Sequence, residues 1–237
     1  MRATLSIAPM IPSVAALAEL PEVENPGARF GALLAEAPRA LGPVSDARRR
    51  EFARGRACAR LAMQKLGVRP LPLLRGRERQ PLWPAALCGS ITHCDGYCAA
   101  VVAHTRDMRT IGIDAEVIRA FGDVVLDRIA LAGERAWMSG ADARAPWAVL
   151  LFSAKESVFK AWFQVFESAL DFSHVHIDFD PPRRAFRAIV KRNKRGAPAA
   201  VAFVGRYRFD RERVLTSAYL EVDAPAIGDR AAAPPQK

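Results

Sequence analysis

The sequence predicts an α+β fold of two similar halves, and three observations carry that expectation. Two stretches, "SDARRREFARGRACARLAMQKLG" and the run from about Trp147 to Glu167, show apolar residues at helical spacing. Each is followed by short segments alternating apolar and polar residues, bounded by turn formers. A helix and then a group of strands, twice over, favours antiparallel sheets with helices packed on them over alternating parallel units. The sequence has no residue-level repeat, so the likeness between halves is one of pattern.

At the N-terminus, "MRATLSIAPMIPSVAALAEL" has one arginine before an apolar run that Pro9 and Pro12 interrupt, which suits a loop and first strand rather than a signal peptide. Ser45 and Asp46 cap the first long helix and Gly67 stops it. Its apolar side carries Phe52, Ala59, Met63 and Leu66. Arg48 and Arg56 lie on or beside that side, whereas Arg50 and Arg54 point away. The proline- and charge-rich "RPLPLLRGRERQPLWP" reads as a surface loop. "CGSITHCDGYCAAVVAH" then suggests two strands around a turn at Asp95-Gly96. In "RTIGIDAEVI" the alternation places Asp114 and Glu116 on one strand face. A helical stretch from Asp127 to Met138 precedes the second long helix, and "HVHIDFD", "AFRAIVK", "RYRFD" and "VLTSAYLEV" follow as strands. The expected division is 1–108, 109–224 and a frayed tail at 225–237, with the halves joined near residues 105 to 113.

With 237 residues, 51% of them apolar, the chain can bury a real core. A formal charge of +10 biases it toward anionic partners without choosing among nucleic acid, membranes, phosphorylated ligands and acidic proteins. No run is long and apolar enough to span a bilayer. Cys58, Cys88, Cys94 and Cys98 are too sparse for a disulfide scaffold and read as reduced thiols of a cytoplasmic protein, with no metal–thiolate site.

Chemistry concentrates in "FSAKESVFKAW", where Lys155 falls among Phe152, Val158, Phe159 and Trp162 on one helix side. A buried ammonium requires an anion or loses its proton. Asp114, Glu116 and Glu156 with Lys155 and Lys160 suit magnesium and phosphate, because magnesium takes a few carboxylates and completes its shell with water and phosphate oxygens. The plainer alternatives are a solvated strand face for Asp114 and Glu116 and an i, i+4 surface pair for Glu156 and Lys160, worth roughly 0.3 to 0.5 kcal/mol.

Taken together, the motifs resemble those of the 4'-phosphopantetheinyl transferases, specifically the surfactin- and enterobactin-synthase type. "GIDAE" matches G-[IV]-D-x-E, "FSAKESVFK" matches W-x-x-K-E-[SA]-x-x-K, "PLWPAALCGSITHCDGYCAAVVA" resembles the W-P-x-G-x-x-G-S-[IL]-T-H-C block, and "RRREFARGRACAR" resembles the arginine helix, in order over about residues 45 to 165. Phe152 stands where many members have tryptophan, and Ala86 where the block often has glycine. The resemblance implies that an active site in the cleft between the halves moves the phosphopantetheine arm of coenzyme A to a serine of an apo acyl or peptidyl carrier protein, releasing adenosine 3',5'-bisphosphate. It implies Mg2+ held by Asp114, Glu116 and Glu156. Lys155 would face the pyrophosphate, Glu156 would take the serine proton directly or through a water, and Lys160 would offset charge on the leaving phosphate. Arg48, Arg56 and Arg75 would hold the 3'-phosphate and adenine, and Ser90, Thr92 and His93 would contact ribose and phosphate. The implied protein is a cytoplasmic monomer whose positive charge meets acidic carriers. The rivals are a basic nucleic-acid-binding module, which would use the "KRNKRG" loop, and a catalytically dead coenzyme A-binding scaffold.

Overall fold

A computed structural model describes residues 5–21, 45–191 and 200–222. The proposed tail at 225–237 and most of the "KRNKRG" loop lie outside the described residues. The first half pairs β1 (Ala16–Pro21), β2 (Leu87–Cys94) and β3 (Tyr97–His104) in the antiparallel order β1-β3-β2. The hairpin closes at Asp95-Gly96 as the sequence predicts, with Cys94 opposite Tyr97 and Gly96 at φ +69°, a conformation that favours glycine. Helix α1 (Asp46–Lys65) begins at Ser45, whose hydroxyl accepts from the Arg48 N–H, and ends before Gly67 at φ +77°. Its small residues Ala53, Ala57, Ala59 and Ala62, with Cys58 and Met63, pack on Ala18, Leu20, Cys98, Ala100 and Val102 of the sheet.

In the second half, the sheet order is β4 (Thr110–Val117), β8 (Arg213–Leu220), β7 (Ala200–Phe209), β6 (Ala185–Lys191), β5 (Val175–Asp180), all antiparallel. Strand β7 begins well before "RYRFD" because Val201, Phe203, Gly205 and Tyr207 alternate inward along its whole length. The single helical stretch expected from Asp127 to Met138 is two helices, α2 (Asp123–Ile129) and α3 (Ala132–Gly140). The break falls at Leu131, which is extended, and Glu134 accepts its N–H at 2.7 Å to start α3. Helix α4 (Trp147–Phe166) lies on this sheet and carries the core residues Leu150, Ala154, Val158, Ala161 and Trp162.

The two halves meet at β2 and β4, where side-chain hydroxyls substitute for a backbone ladder. Ser90 Oγ accepts from the Ile113 N–H at 3.1 Å, and Thr92 Oγ1 accepts from the Ala115 N–H at 3.0 Å. A third core lies between them, formed by Ala99, Val101 and Ala103 of β3 with Ile111, Ile113 and Ala115 of β4, and closed by Ile7 and Met10. Strand β4 is therefore buried on both faces: one against that core, the other beneath α4.

Candidate active site

Gly112 sets the geometry, because any Cβ there would collide with the Ser157 carbonyl of α4. Helix and strand thus approach closely enough for α4 to lay Ser153, Lys160 and Gln164 along β4 at i, i+7 and i+11. Asp114, 4% exposed, is gripped from both sides: Ser153 Oγ donates to Oδ2 at 2.8 Å and Lys160 Nζ to Oδ1 at 2.6 Å. Lys160 Nζ also donates to the Ile113 carbonyl at 3.1 Å. The partner of Lys160 is therefore Asp114 rather than Glu156, and the i, i+4 surface pair is absent among the described residues' ion pairs.

Around this pair the other two carboxylates are held above their ordinary range. Burial, and then the Asp114 charge, pushes Glu116 up to about 7. Burial also raises Glu156, with Lys160 opposing and Asp114 adding. Among the described residues no three acidic, histidine or cysteine side chains stand together at metal-ligand spacing. The donor set still fits magnesium, which needs only one or two protein carboxylates beside phosphate oxygens and water. The electrostatics agree, since Asp114, Glu116 and Glu156 feel one another's charge in a partly desolvated place that a cation would relieve.

Lys155 requires a correction. It lies about 200° round the helix from Ser153, on the opposite side from the strip that meets Asp114. Its ammonium is fully buried and donates to Glu134 at 2.7 Å and to the Phe172 carbonyl at 3.2 Å. The anion that Lys155 meets is thus a glutamate of its own chain. Glu134 also accepts from the Ile177 N–H at 2.8 Å, so the pair ties α3, α4 and β5 together. Ser90 and Thr92 are likewise buried, at 3% and 2%, with their hydroxyls committed to β4 rather than turned toward a ligand.

The basic side of the site belongs to the first half. Arg56, 8% exposed, donates from Nε to the Leu73 carbonyl at 2.8 Å and lies over the Phe52 ring at 4.4 Å. Its guanidinium is lowered to about 10, first by burial and then by Arg75 and Arg48, so the three arginines are close enough to repel one another. Arg48 Nη1 donates to His93 Nε2 at 3.2 Å and to Glu51 at 3.0 Å. Arg50 is exposed as expected, but Arg54 is half-buried and reaches the Leu20 carbonyl at 3.5 Å, so it does not point away.

A cleft of about 590 Å³ opens between the halves, walled by Trp83, Ser90, Glu156, Phe159, Lys160 and Phe163 among others. Arg48, Arg56 and Arg75 lie outside its walls, which include Arg79 and Arg109 instead, so their cationic cluster is a separate feature from this space. Sequence reasoning missed Ser153, Glu134 and Gln164. Gln164 accepts from the Gly89 N–H at 3.0 Å and donates to the Ile111 and Lys160 carbonyls, each at 2.8 Å, joining β2, β4 and α4. Its signal was legible: Ser153, Ser157, Lys160 and Gln164 recur at helical spacing.

A cluster of mutually repelling arginines on one half, and carboxylates gathered round a lysine on the other, are the charges of an enzyme that handles a phosphorylated substrate. Residues 37–103 match the model of the 4'-phosphopantetheinyl transferase N-terminal domain, and residues 110–215 that of the 4'-phosphopantetheinyl transferase superfamily. The chain is 42% identical over 181 residues to the 4'-phosphopantetheinyl transferase Svp of Streptomyces mobaraensis, covering 74% of this chain and 73% of that one. It is 38% identical over 192 residues to PptT of Mycobacterium tuberculosis, covering 78% and 84%. Enterobactin synthase component D of Salmonella typhi matches at 38% over 118 residues, 48% of each chain. The chain belongs to the 4'-phosphopantetheinyl transferase superfamily. The family transfers phosphopantetheine from coenzyme A to carrier proteins, and this chain is an enzyme of that kind.

Proposed function

We propose that the cleft performs this transfer with Arg48, Arg56 and Arg75 on the nucleotide end of coenzyme A, His93 beside them, and Asp114, Glu116, Glu156 and Lys160 at the pyrophosphate. The observation that carries the assignment is the raised Glu116 and Glu156 around the Asp114–Lys160 pair, next to a cleft that Glu156 and Lys160 line. Asp114, Glu116 and Glu156 would hold Mg2+, which when bound would polarise the transferred phosphoryl group and neutralise charge on the leaving 5'-phosphate of adenosine 3',5'-bisphosphate. Lys160 leaves Asp114 for phosphate oxygen, a move its partial exposure permits. Glu156, raised by burial, takes the proton of the carrier serine hydroxyl, directly or through a water. Ser153 keeps the Asp114 carboxylate oriented throughout. Lys155 is given no contact with coenzyme A in this scheme, because Glu134 already neutralises it.

The division at residues 108 and 109, monomeric action, a cytoplasmic setting and indifference to nucleic acid belong to the same proposal. In support, no helix among the described residues is long and apolar enough to cross a membrane. The acceptor is an acidic acyl or peptidyl carrier protein, favoured by the charge of +10. Incubating the purified protein with coenzyme A, magnesium and apo carriers from fatty-acid, polyketide, siderophore and peptide synthases should add a phosphopantetheine mass to at least one. No mass shift on any of them, beside an active control transferase, would overturn the proposal.

A further inference from the structure

Cys58 and Cys98 take no part in the proposed transfer, yet they form the most unusual pair outside the cleft. Cys58 sits on α1, two residues past Arg56, and Cys98 sits on β3 against it. Their sulfurs are 3.6 Å apart, and neither residue has exposed surface. The Cys58 thiol has both the Cys98 sulfur and the Cys98 carbonyl at 3.6 Å as acceptors. Cys98 also forms part of the wall of a second cavity of about 280 Å³, shared with Arg50, Arg54, His93 and Asp95. Arg54 Nε is buried beside this region without a hydrogen-bond partner. Burial by itself would make both thiols packing residues; what sets this pair apart is the direct sulfur–sulfur contact, with the Arg54 guanidinium and a small cavity on the Cys98 side.

We infer that Cys58 and Cys98 form a redox-active dithiol that hydrogen peroxide converts to a disulfide and a thiol reductant restores, and that this bond weakens the hold of α1 on coenzyme A. The first part stands on the sulfur geometry alone, and the second rests on the role proposed for Arg48 and Arg56. Cys98 is the attacking sulfur. Its thiol is held below its ordinary value first by the hydrogen bond from Cys58 and then, against burial, by Arg54, while that same bond and burial raise Cys58. By contrast, burial pushes both Cys88 and Cys94 up to about 11. The Cys98 thiolate attacks one peroxide oxygen, the O–O bond breaks, and the product is a sulfenic acid with hydroxide, which takes up a proton to become water. The Cys58 sulfur then attacks the Cys98 sulfur, the S–O bond breaks and a second water leaves, so two thiols and one peroxide give one disulfide and two waters. Closing 3.6 Å to a bond of about 2.05 Å draws α1 toward β3 and moves Arg56, two residues before Cys58, and Arg48, ten residues before it.

The test treats the full-length protein with a few equivalents of hydrogen peroxide, alkylates remaining thiols and maps peptides without reductant. The expected product is a Cys58–Cys98 linked peptide pair that dithiothreitol removes, with Cys88 and Cys94 alkylated. Dimedone should trap a sulfenic acid on Cys98 in Cys58→Ser and none on Cys58 in Cys98→Ser. In the oxidised protein the KM for coenzyme A should rise at least threefold and return on reduction, with neither serine variant responding. Full alkylation of Cys98 at peroxide levels that oxidise Cys94, or linkage of Cys98 to Cys94 instead, would overturn the dithiol. A linked pair with unchanged KM would overturn its coupling to coenzyme binding, and the peptide map stands whatever becomes of the transferase reading.

Discussion

Glu116 holds its proton up to about 7, first because it is buried and then because Asp114 repels its charge. Its folded value therefore lies above the unfolded one, near 4.5, so between these the folded state binds more protons and stability falls as pH rises. After discounting for partial exposure, the penalty at pH 8 is about 1 kcal/mol, or about 2 to 4 °C in a chain of this size. Glu116→Gln should thus melt higher than the parent at pH 8 and equally near pH 4.5, and lose transferase activity; a lower melting point at pH 8 would contradict the charge crowding. Lys155 carries the opposite lesson. Aromatic neighbours made its burial legible, and physical chemistry demanded an anion, but nothing local in the sequence pointed to Glu134, 21 residues earlier and on another helix. The placement on the far side of the helix from Lys160 was legible and excluded a shared phosphate. Lys155→Met should destabilise the protein by roughly 3 to 5 kcal/mol in urea unfolding by leaving Glu134 buried and unpaired, and adding Glu134→Gln should recover more than half of that loss.

Helix α1 shows how far periodicity reaches at the scale of an element. Capping residues placed its ends within two residues, and the apolar side correctly separated buried Arg56 from exposed Arg50. Arg54 was misjudged because alanines and a glycine let the helix approach the sheet closely, which half-buries positions flanking the apolar side. If Arg48 and Arg56 grip the 3'-phosphate, Arg48→Ala should narrow the preference for coenzyme A over its 3'-dephospho form by roughly tenfold or more, since a charge-assisted contact contributes roughly 1.5 to 3 kcal/mol. Arg50→Ala should leave that ratio unchanged, and steady-state kinetics with both cofactors distinguishes them. The contact of α4 with β4 depends on Gly112, whose role the motif marked without giving its reason. Gly112→Ala should cost on the order of 3 kcal/mol of stability, read as a lowered melting point, because the new methyl group meets backbone rather than a yielding side chain. The break between α2 and α3 was not legible, because the residue that starts α3 is Leu131, which is not one of the polar residues that mark a helix start, and only the Glu134 side chain reaching back to its N–H forms the cap.

For the whole molecule, the α+β class and the doubled helix-and-strand pattern were legible because both depend on local periods of hydrophobicity. The seam was not. Ser90 and Thr92 looked like ligand-facing residues of a motif, and only the docking of β2 beside β4 shows that their hydroxyls replace a missing backbone ladder. That seam brings the arginine cluster of one half beside the carboxylates of the other, so the proposed active site exists only while both halves are joined. The central claim is that these two groups grip one coenzyme A molecule. A crystal structure of the protein with coenzyme A and Mg2+ tests it directly. The 3'-phosphate should lie against Arg48 and Arg56, the pyrophosphate and metal against Asp114 and Glu116, with Lys160 moved from Asp114 to phosphate and Lys155 still paired with Glu134. Coenzyme A bound with its 3'-phosphate away from the arginines, or with Lys160 unmoved and no metal at Asp114, would contradict the account.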